Sequence, residues 1–184
     1  SGEEAAREAL PPKMNGRALI DRIDVSQVIG GLSDIKSEIA MRWDAEKDEC
    51  HILGVNIGRN YYKAGARDYD IVGSVDIIAI NEATGNLVVA DVKTGMQEVA
   101  AVTSEQLQAL AFIAAELYPN TGKIETRIIK INEDGSSTVN AHVIDANELV
   151  ILKQKFKGLR TQVLDNLARY KKKEELDLRE SDNC

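Results

Sequence analysis

Only two cysteines, Cys50 and Cys184, and two histidines, His51 and His142, occur in the 184 residues of this chain. Two cysteines exclude a disulfide framework and a four-cysteine metal site, and a zinc site built from histidines is poorly supported. No run approaches the roughly 18 apolar residues that a membrane span needs, and no basic-then-apolar stretch opens the chain. The expected location is therefore cytoplasmic, with no membrane partner. No internal repeat or low-complexity linker interrupts the sequence, so residues 1–184 are read as one domain, with disordered ends expected at about 1–12 and 174–184. Positive charge is short as well. The formal net charge is −7, which runs against a nucleic-acid partner, because phosphate binding is driven by Lys and Arg.

What is present fits a single globular enzyme domain. A hydrophobic share of 43% beside 29% charged residues lies in the ordinary globular range, and a chain of this length buries a real core. The charge is unevenly distributed. Between Lys153 and Lys173, eight cations (Lys153, Lys155, Lys157, Arg160, Arg169, Lys171, Lys172 and Lys173) face Asp165 alone, a local +7. Leu152, Phe156, Leu159, Val163, Leu167 and Tyr170 recur there at helical spacing, so one face can pack while the other meets solvent or phosphate. A solvated terminal helix and a DNA-contacting one are both compatible with that pattern.

Periodicity and punctuation give helix, strands, helix, strands, helix. Residues 3–10 read as helical until Pro11-Pro12 stops them, and 25–29 precede a Gly30-Gly31 break. A helix is expected over about 34–46, with Ser33 as its N-cap. Strands follow at 52–57 and 60–63, then a hairpin of about 69–80 and 87–93. The clearest helix spans 103–118, with Thr103 three residues before Gln106 as a capping box and Pro119 past its end. Residues 124–131 and 138–144 form another hairpin around Glu133-Asp134-Gly135.

The chemistry concentrates in the first of these hairpins. Strand side chains alternate faces, so Val72, Ser74, Asp76, Ile78 and Ile80 are expected to share one face, as are Leu87, Val89, Asp91 and Lys93 on the next strand. A carboxylate on an apolar stripe needs a cation or a partner, since even a neutral polar group buried without one costs roughly 2–7 kcal/mol. The plainer alternative is an ion pair in which Asp91 or Asp76 neutralises Lys93. The richer one is a divalent-cation site with a lysine beside it.

Gly73-x-x-Asp76 followed by Asp91-x-Lys93-Thr94-Gly95 resembles the core motifs of the PD-(D/E)XK nuclease superfamily, in particular its RecB-like exonuclease branch. The likeness covers about residues 34–170 and is most specific between Gly73 and Gly95. It implies a restriction-endonuclease-like α/β core, a mixed central β-sheet flanked by α-helices. It also implies a Mg²⁺- or Mn²⁺-dependent nuclease acting on DNA, of exonuclease or end-processing type. Hard oxygen ligands suit those ions. The iron–sulfur cluster of some RecB-like nucleases needs four cysteines that this chain lacks.

By that resemblance Asp76 and Asp91 hold the cation, with the Val92 backbone carbonyl as a further ligand. Lys93 orients or deprotonates the attacking water. The acidic residue carried on the preceding helix maps to Glu38, with His51 as a lesser alternative. Gln106 matches the glutamine of the following helix, whereas Leu110 stands where the family has tyrosine. Gln106, Lys171, Lys172 and Lys173 are candidate nucleic-acid contacts, the first also open to a purely capping role. A structure-specific endonuclease of junction-resolvase type, a catalytically silent nucleic-acid-binding module and an RNA-cleaving enzyme are the rival readings.

Overall fold

Where the sequence suggests a helix over 34–46, the chain runs as its longest strand. In the computed structural model, which describes residues 25–44, 46–67, 70–94, 100–132 and 134–171, strand β1 spans Leu32–Asp44. It hydrogen-bonds strand β2 (Glu49–Val55) on one edge and β3 (Ile71–Asn81) on the other. The reason lies in its second half. Ile39, Met41 and Trp43 alternate and are all buried in one core, a period of two that a helix would scatter around its circumference. Ser33 and Asp34 imitate a helix start, but Asp34 takes φ 50° and marks an irregularity in the strand, where the register with β3 shifts between Ser33 and Lys36.

Among the described residues six strands form one mixed sheet in the order β2-β1-β3-β4-β5-β6. Strand β4 is Leu87–Lys93, β5 is Ile124–Ile131 and β6 is Ser137–Ile144. All neighbours are antiparallel except β4 and β5. That parallel pair requires a crossover, supplied by helix α2 (Glu105–Leu117), which lies against β1 through β5. A short helix α1 (Val25–Ile29) precedes β1, and α3 (Ala146–Lys171) follows β6. Both expected hairpins form. Residues 60–63 are turns rather than a strand.

Helix α2 seals one face of the sheet. Leu107, Leu110, Ala111, Phe112, Ile113 and Ala114 are buried against Ile39, Met41, Trp43, Val75, Val89 and Ile128. Phe112 meets Trp43 edge-on at 5.2 Å between ring centroids and stacks on Phe156 of α3 at 5.3 Å, so one aromatic column joins sheet, α2 and α3. A Cβ on Gly73 would lie 3.0 Å from Leu110 Cδ2, which gives that glycine a packing role. The opposite face carries Leu32, Ile77, Ala79, Val88, Ala90, Ile129 and Ile131, with Val28 and Ile29 of α1 packed on it. Among the described residues no helix is long and apolar enough to cross a membrane.

Helix α2 is capped by Ser104, not Thr103. The Ser104 hydroxyl accepts the Leu107 N–H at 3.2 Å, so Gln106 does not sit at the capping-box position and its side chain is exposed. Helix α3 begins earlier than the basic stretch. Asp145 accepts the N–H groups of Asn147 and Glu148, and Glu148 reaches back to the Asp145 N–H, a reciprocal cap. Of its expected apolar stripe only Phe156 is fully buried, while Tyr170 is 67% exposed.

Candidate active site

The expected single face for Val72, Ser74, Asp76, Ile78 and Ile80 is interrupted next to Asp76, since Gly73 and Val75 lie on the α2 side together with Ile78 and Ile80. Val75, Ile78 and Ile80 belong to the α2-side core, whereas Ile77 and Ala79 belong to the opposite one. The alternation therefore slips by one residue around Asp76. Directly across on β1, between the pairs Ser37↔Ile77 and Ile39↔Val75, Glu38 adopts φ 53°. Left-handed backbone in a non-glycine residue is uncommon, and here it accompanies a paired distortion of two neighbouring strands, as β-bulges do beside functional sites.

Strands β3 and β4 pair from Ile80↔Leu87 to Ile77↔Ala90, and their ladder stops there. Beyond that point a side chain takes over. Asp76 Oδ2 accepts the Val92 N–H at 2.6 Å. In an antiparallel strand the N–H and C=O of one residue point to the same side, so the Val92 carbonyl also faces β3 past the end of the ladder. Asp91 and Lys93 are bonded to each other, Nζ to Oδ2 at 2.8 Å, with side chains 20% and 42% exposed. The ion pair expected as the plainer alternative is thus present, and Asp76 lies outside it.

Burial raises the Asp76 carboxyl above its ordinary value, and the Asp91 charge adds to the rise; the Val92 N–H and Lys93 oppose it. Two partly buried carboxylates, Asp76 pushed up by burial and by the charge of Asp91, and a carbonyl at the end of the same ladder form an oxygen donor set suited to a hard divalent cation with waters completing its shell. Among the described residues no three His, Cys, Asp or Glu side chains converge as a ready-made cation site. The fit therefore rests on two carboxylates and one carbonyl.

The other predicted residues are distributed as follows. Glu38 is on a strand rather than a helix, exposed, and opposite Asp76 in register, with its carbonyl accepting the Asn56 N–H at 2.9 Å. His51 is set apart from the site. It pairs with Arg42, which pairs with Val72, so it lies two strands from β3 and roughly 13 Å along it from Asp76 at about 3.3 Å per residue. Its nearest acid is Glu49, at 3.5 Å. Gln106 lies in the first turn of α2, the helix that follows the Asp91–Lys93 end of β4. Leu110, in the position of the family's tyrosine, is core packed over Gly73. Lys171 ends α3, its side chain outside the described residues, as are Lys172, Lys173 and Gly95.

The basic helix is largely committed elsewhere. Lys153 bonds Glu116 at 2.6 Å, Lys155 bonds Glu105 at 3.0 Å, Lys157 approaches Asp48 at 3.8 Å, and Arg160 donates to the Glu46 carbonyl at 2.9 Å. These cations dock the first half of α3 onto the body. Arg67 is likewise engaged, with Asp44, with Glu46 at 2.7 Å and with Asp70 at 3.4 Å, while Asp70 also binds Arg42 at 3.1 Å. Against the cost of burial, the Lys47 N–H and Arg67 hold the Asp44 carboxyl below its usual range. Sequence reasoning missed this cluster. Arg67-x-x-Asp70 carried a local signal, but Asp44 and Arg42 reach it only through the fold. Burial pushes the Cys50 thiol up to about 12, with Glu116 and Asp48 adding to the rise, which leaves it inert as a nucleophile. No protein-family model matches this chain, and no curated protein matches it.

Proposed function

We propose that the protein is a Mg²⁺- or Mn²⁺-dependent DNA nuclease of exonuclease or end-processing type, built on the restriction-endonuclease-like core and related to the RecB-like PD-(D/E)XK enzymes. The observation that carries this reading is the end of the β3–β4 ladder, where Asp76 replaces the backbone partner of Val92 beside the Asp91–Lys93 pair. An α/β sheet with a helix crossing directly after the Asp91–Lys93 strand is compatible with that core.

Asp76, Asp91 and the Val92 carbonyl would hold the cation. When bound, it supplies neutralisation of charge on the phosphoryl oxygens and a lowered pKa for water. Asp76 and Asp91 relieve their mutual repulsion in binding it. Lys93, tethered by Asp91, orients the attacking water, takes part in its deprotonation and offsets the charge that develops on the phosphate. Glu38, exposed across from Asp76, acts through water. Gln106 and the lysines at 171–173 contact the DNA backbone.

One observation favours a second reading. Lys93 already neutralises Asp91, and no third acid converges on the pair among the described residues, as suits a silent nucleic-acid-binding module. The test is incubation with end-labelled single-stranded, blunt, flapped and four-way-junction DNA, and with RNA, in Mg²⁺, Mn²⁺ or EDTA. Metal-dependent shortening from ends supports the proposal. Discrete junction cuts indicate a resolvase-like enzyme, cleavage of RNA alone an RNA nuclease, and binding without cleavage the silent module.

A further inference from the structure

Residues 56–66, within the connection between β2 and β3, are fastened to β1 and β3 at three points on the approach to Asp76. At its start the Asn56 N–H bonds the carbonyl of Glu38, the residue across from Asp76. In its middle the Tyr61 hydroxyl meets Ser74 Oγ at 3.1 Å, two residues before Asp76 on the same strand. At its end Arg42 donates to the Gly65 carbonyl at 2.6 Å. Internal turns order it further, with Asn60 N–H to the Ile57 carbonyl, Gly65 N–H to Tyr62 and Ala66 N–H to Tyr61.

The charges that this ordered segment exposes are all positive. Arg59, Tyr62 and Lys63 are exposed, Tyr62 by 67%. Neither Arg59 nor Lys63 has an acidic partner among the described residues, in contrast to Arg67 and the first cations of α3. No acidic residue occurs between Glu49 and Asp68, in a chain whose net charge is −7. Two cations without an acidic partner among the described residues, flanking an exposed aromatic residue in sequence, on a segment bonded to Ser74 and to Glu38 across from Asp76, combine phosphate neutralisation with a stacking platform.

We propose that this segment grips a single strand of nucleic acid and leads it to the Asp76–Asp91 site, with Arg59 and Lys63 on successive phosphates and Tyr62 stacked on a base. The inference rests on the nuclease reading above for its direction, since it makes the substrate of that site a single-stranded end rather than a continuous duplex. A duplex keeps its base faces stacked on one another. Only an unpaired base offers a face to Tyr62.

The test is fluorescence anisotropy of the full chain in EDTA, so that binding is read without cleavage, using labelled oligo-dT, oligo-U and a blunt hairpin duplex across a salt series. Tyr62→Ala is expected to weaken single-strand binding between about fivefold and about 140-fold, and Tyr62→Phe to stay within about twofold of wild type. Arg59→Gln with Lys63→Gln is expected to flatten the log–log salt slope by up to about 1.4, at about 0.7 per single-strand phosphate neutralised. Tyr62→Trp is expected to show emission quenched on adding either oligonucleotide. Comparison of oligo-dT with oligo-U distinguishes DNA from RNA as the source of the strand. Single-strand binding indifferent to Tyr62→Ala, duplex bound as tightly and with the same Tyr62 dependence, or no binding by the wild-type chain each overturns the inference. The two readings fail separately. Tyr62-dependent binding by a chain that never cleaves sinks the nuclease and leaves the grip, whereas cleavage with Tyr62-independent binding sinks the grip alone.

Discussion

Replacing Asp76 by asparagine and by alanine should have opposite effects on stability, because the carboxylate has two roles that the two variants separate. Its charge is unfavourable in the folded chain, raised in pKa by burial and by Asp91. Its Oδ2 is nevertheless the acceptor for the Val92 N–H past the end of the β3–β4 ladder. Asp76→Asn keeps an acceptor and removes the charge, so at neutral pH without metal it should be as stable as wild type or more so. Asp76→Ala leaves the Val92 N–H without its partner. A buried donor left unsatisfied costs about 1–3 kcal/mol, and at this half-buried position the lower part of that range, about 1–2 kcal/mol, applies. For a chain of this size that corresponds to a melting temperature roughly 2–8 °C below that of Asp76→Asn.

The pH dependence has a definite sign. A carboxyl with a raised folded pKa binds protons more tightly in the folded state. Its stabilising contribution is therefore complete below the unfolded pKa and lost as pH rises through the folded one. Wild type in EDTA should lose stability across that window relative to Asp76→Asn, and Mg²⁺ or Mn²⁺ should restore it by binding the ionised form. The assay is thermal unfolding from acid to neutral pH, with and without metal. Equal melting temperatures for the alanine and asparagine variants would refute the role given to the Val92 bond.

Lys93→Ala should keep metal affinity within roughly tenfold while lowering the cleavage rate by orders of magnitude. Because Lys93 also lowers the Asp76 pKa, the acidic limb of the pH–rate profile should move to higher pH, as measured by single-turnover kinetics at saturating metal. Replacing Lys171, Lys172 and Lys173 together by Gln should weaken DNA binding and flatten its salt slope by up to about 0.9 for each duplex phosphate no longer neutralised. The same change at Lys153, Lys155 and Lys157 should instead lower the urea midpoint, at about 0–1 kcal/mol per exposed pair, and leave DNA affinity near wild type. Gly73→Ala should destabilise by about 1 kcal/mol through crowding of Leu110, read as a lower urea midpoint at unchanged slope.

The legible parts of this fold are those with short-range signals. The β3–β4 and β5–β6 hairpins show period-two runs between turn residues, and α2 has a Thr-Ser start, read one residue early at Thr103, and a proline stop. Strand β1 reads as a helix because Ser33-Asp34 imitates a helix cap, while the pairing on both edges that makes it a strand comes from residues far away in sequence. The Asp76, Asp91 and Lys93 positions are legible, but the slip in alternation next to Asp76 is not, and neither is the positive φ at Glu38 across from it, a residue type that does not announce one. The +7 stretch is countable from sequence. That Glu116, Glu105 and Asp48 occupy its first lysines is not, since those partners lie on α2 and in the turn after β1.

Most direct for the central claim is cleavage of 5′-labelled single-stranded DNA by wild type, Asp76→Asn and Asp91→Asn, each confirmed folded, in Mg²⁺, in Mn²⁺ and in EDTA. The account predicts progressive shortening by wild type in either metal, none in EDTA, and none by either variant under any condition. Cleavage by Asp76→Asn or Asp91→Asn at the wild-type rate would contradict the site assignment, and intact DNA with wild type in both metals would contradict the nuclease.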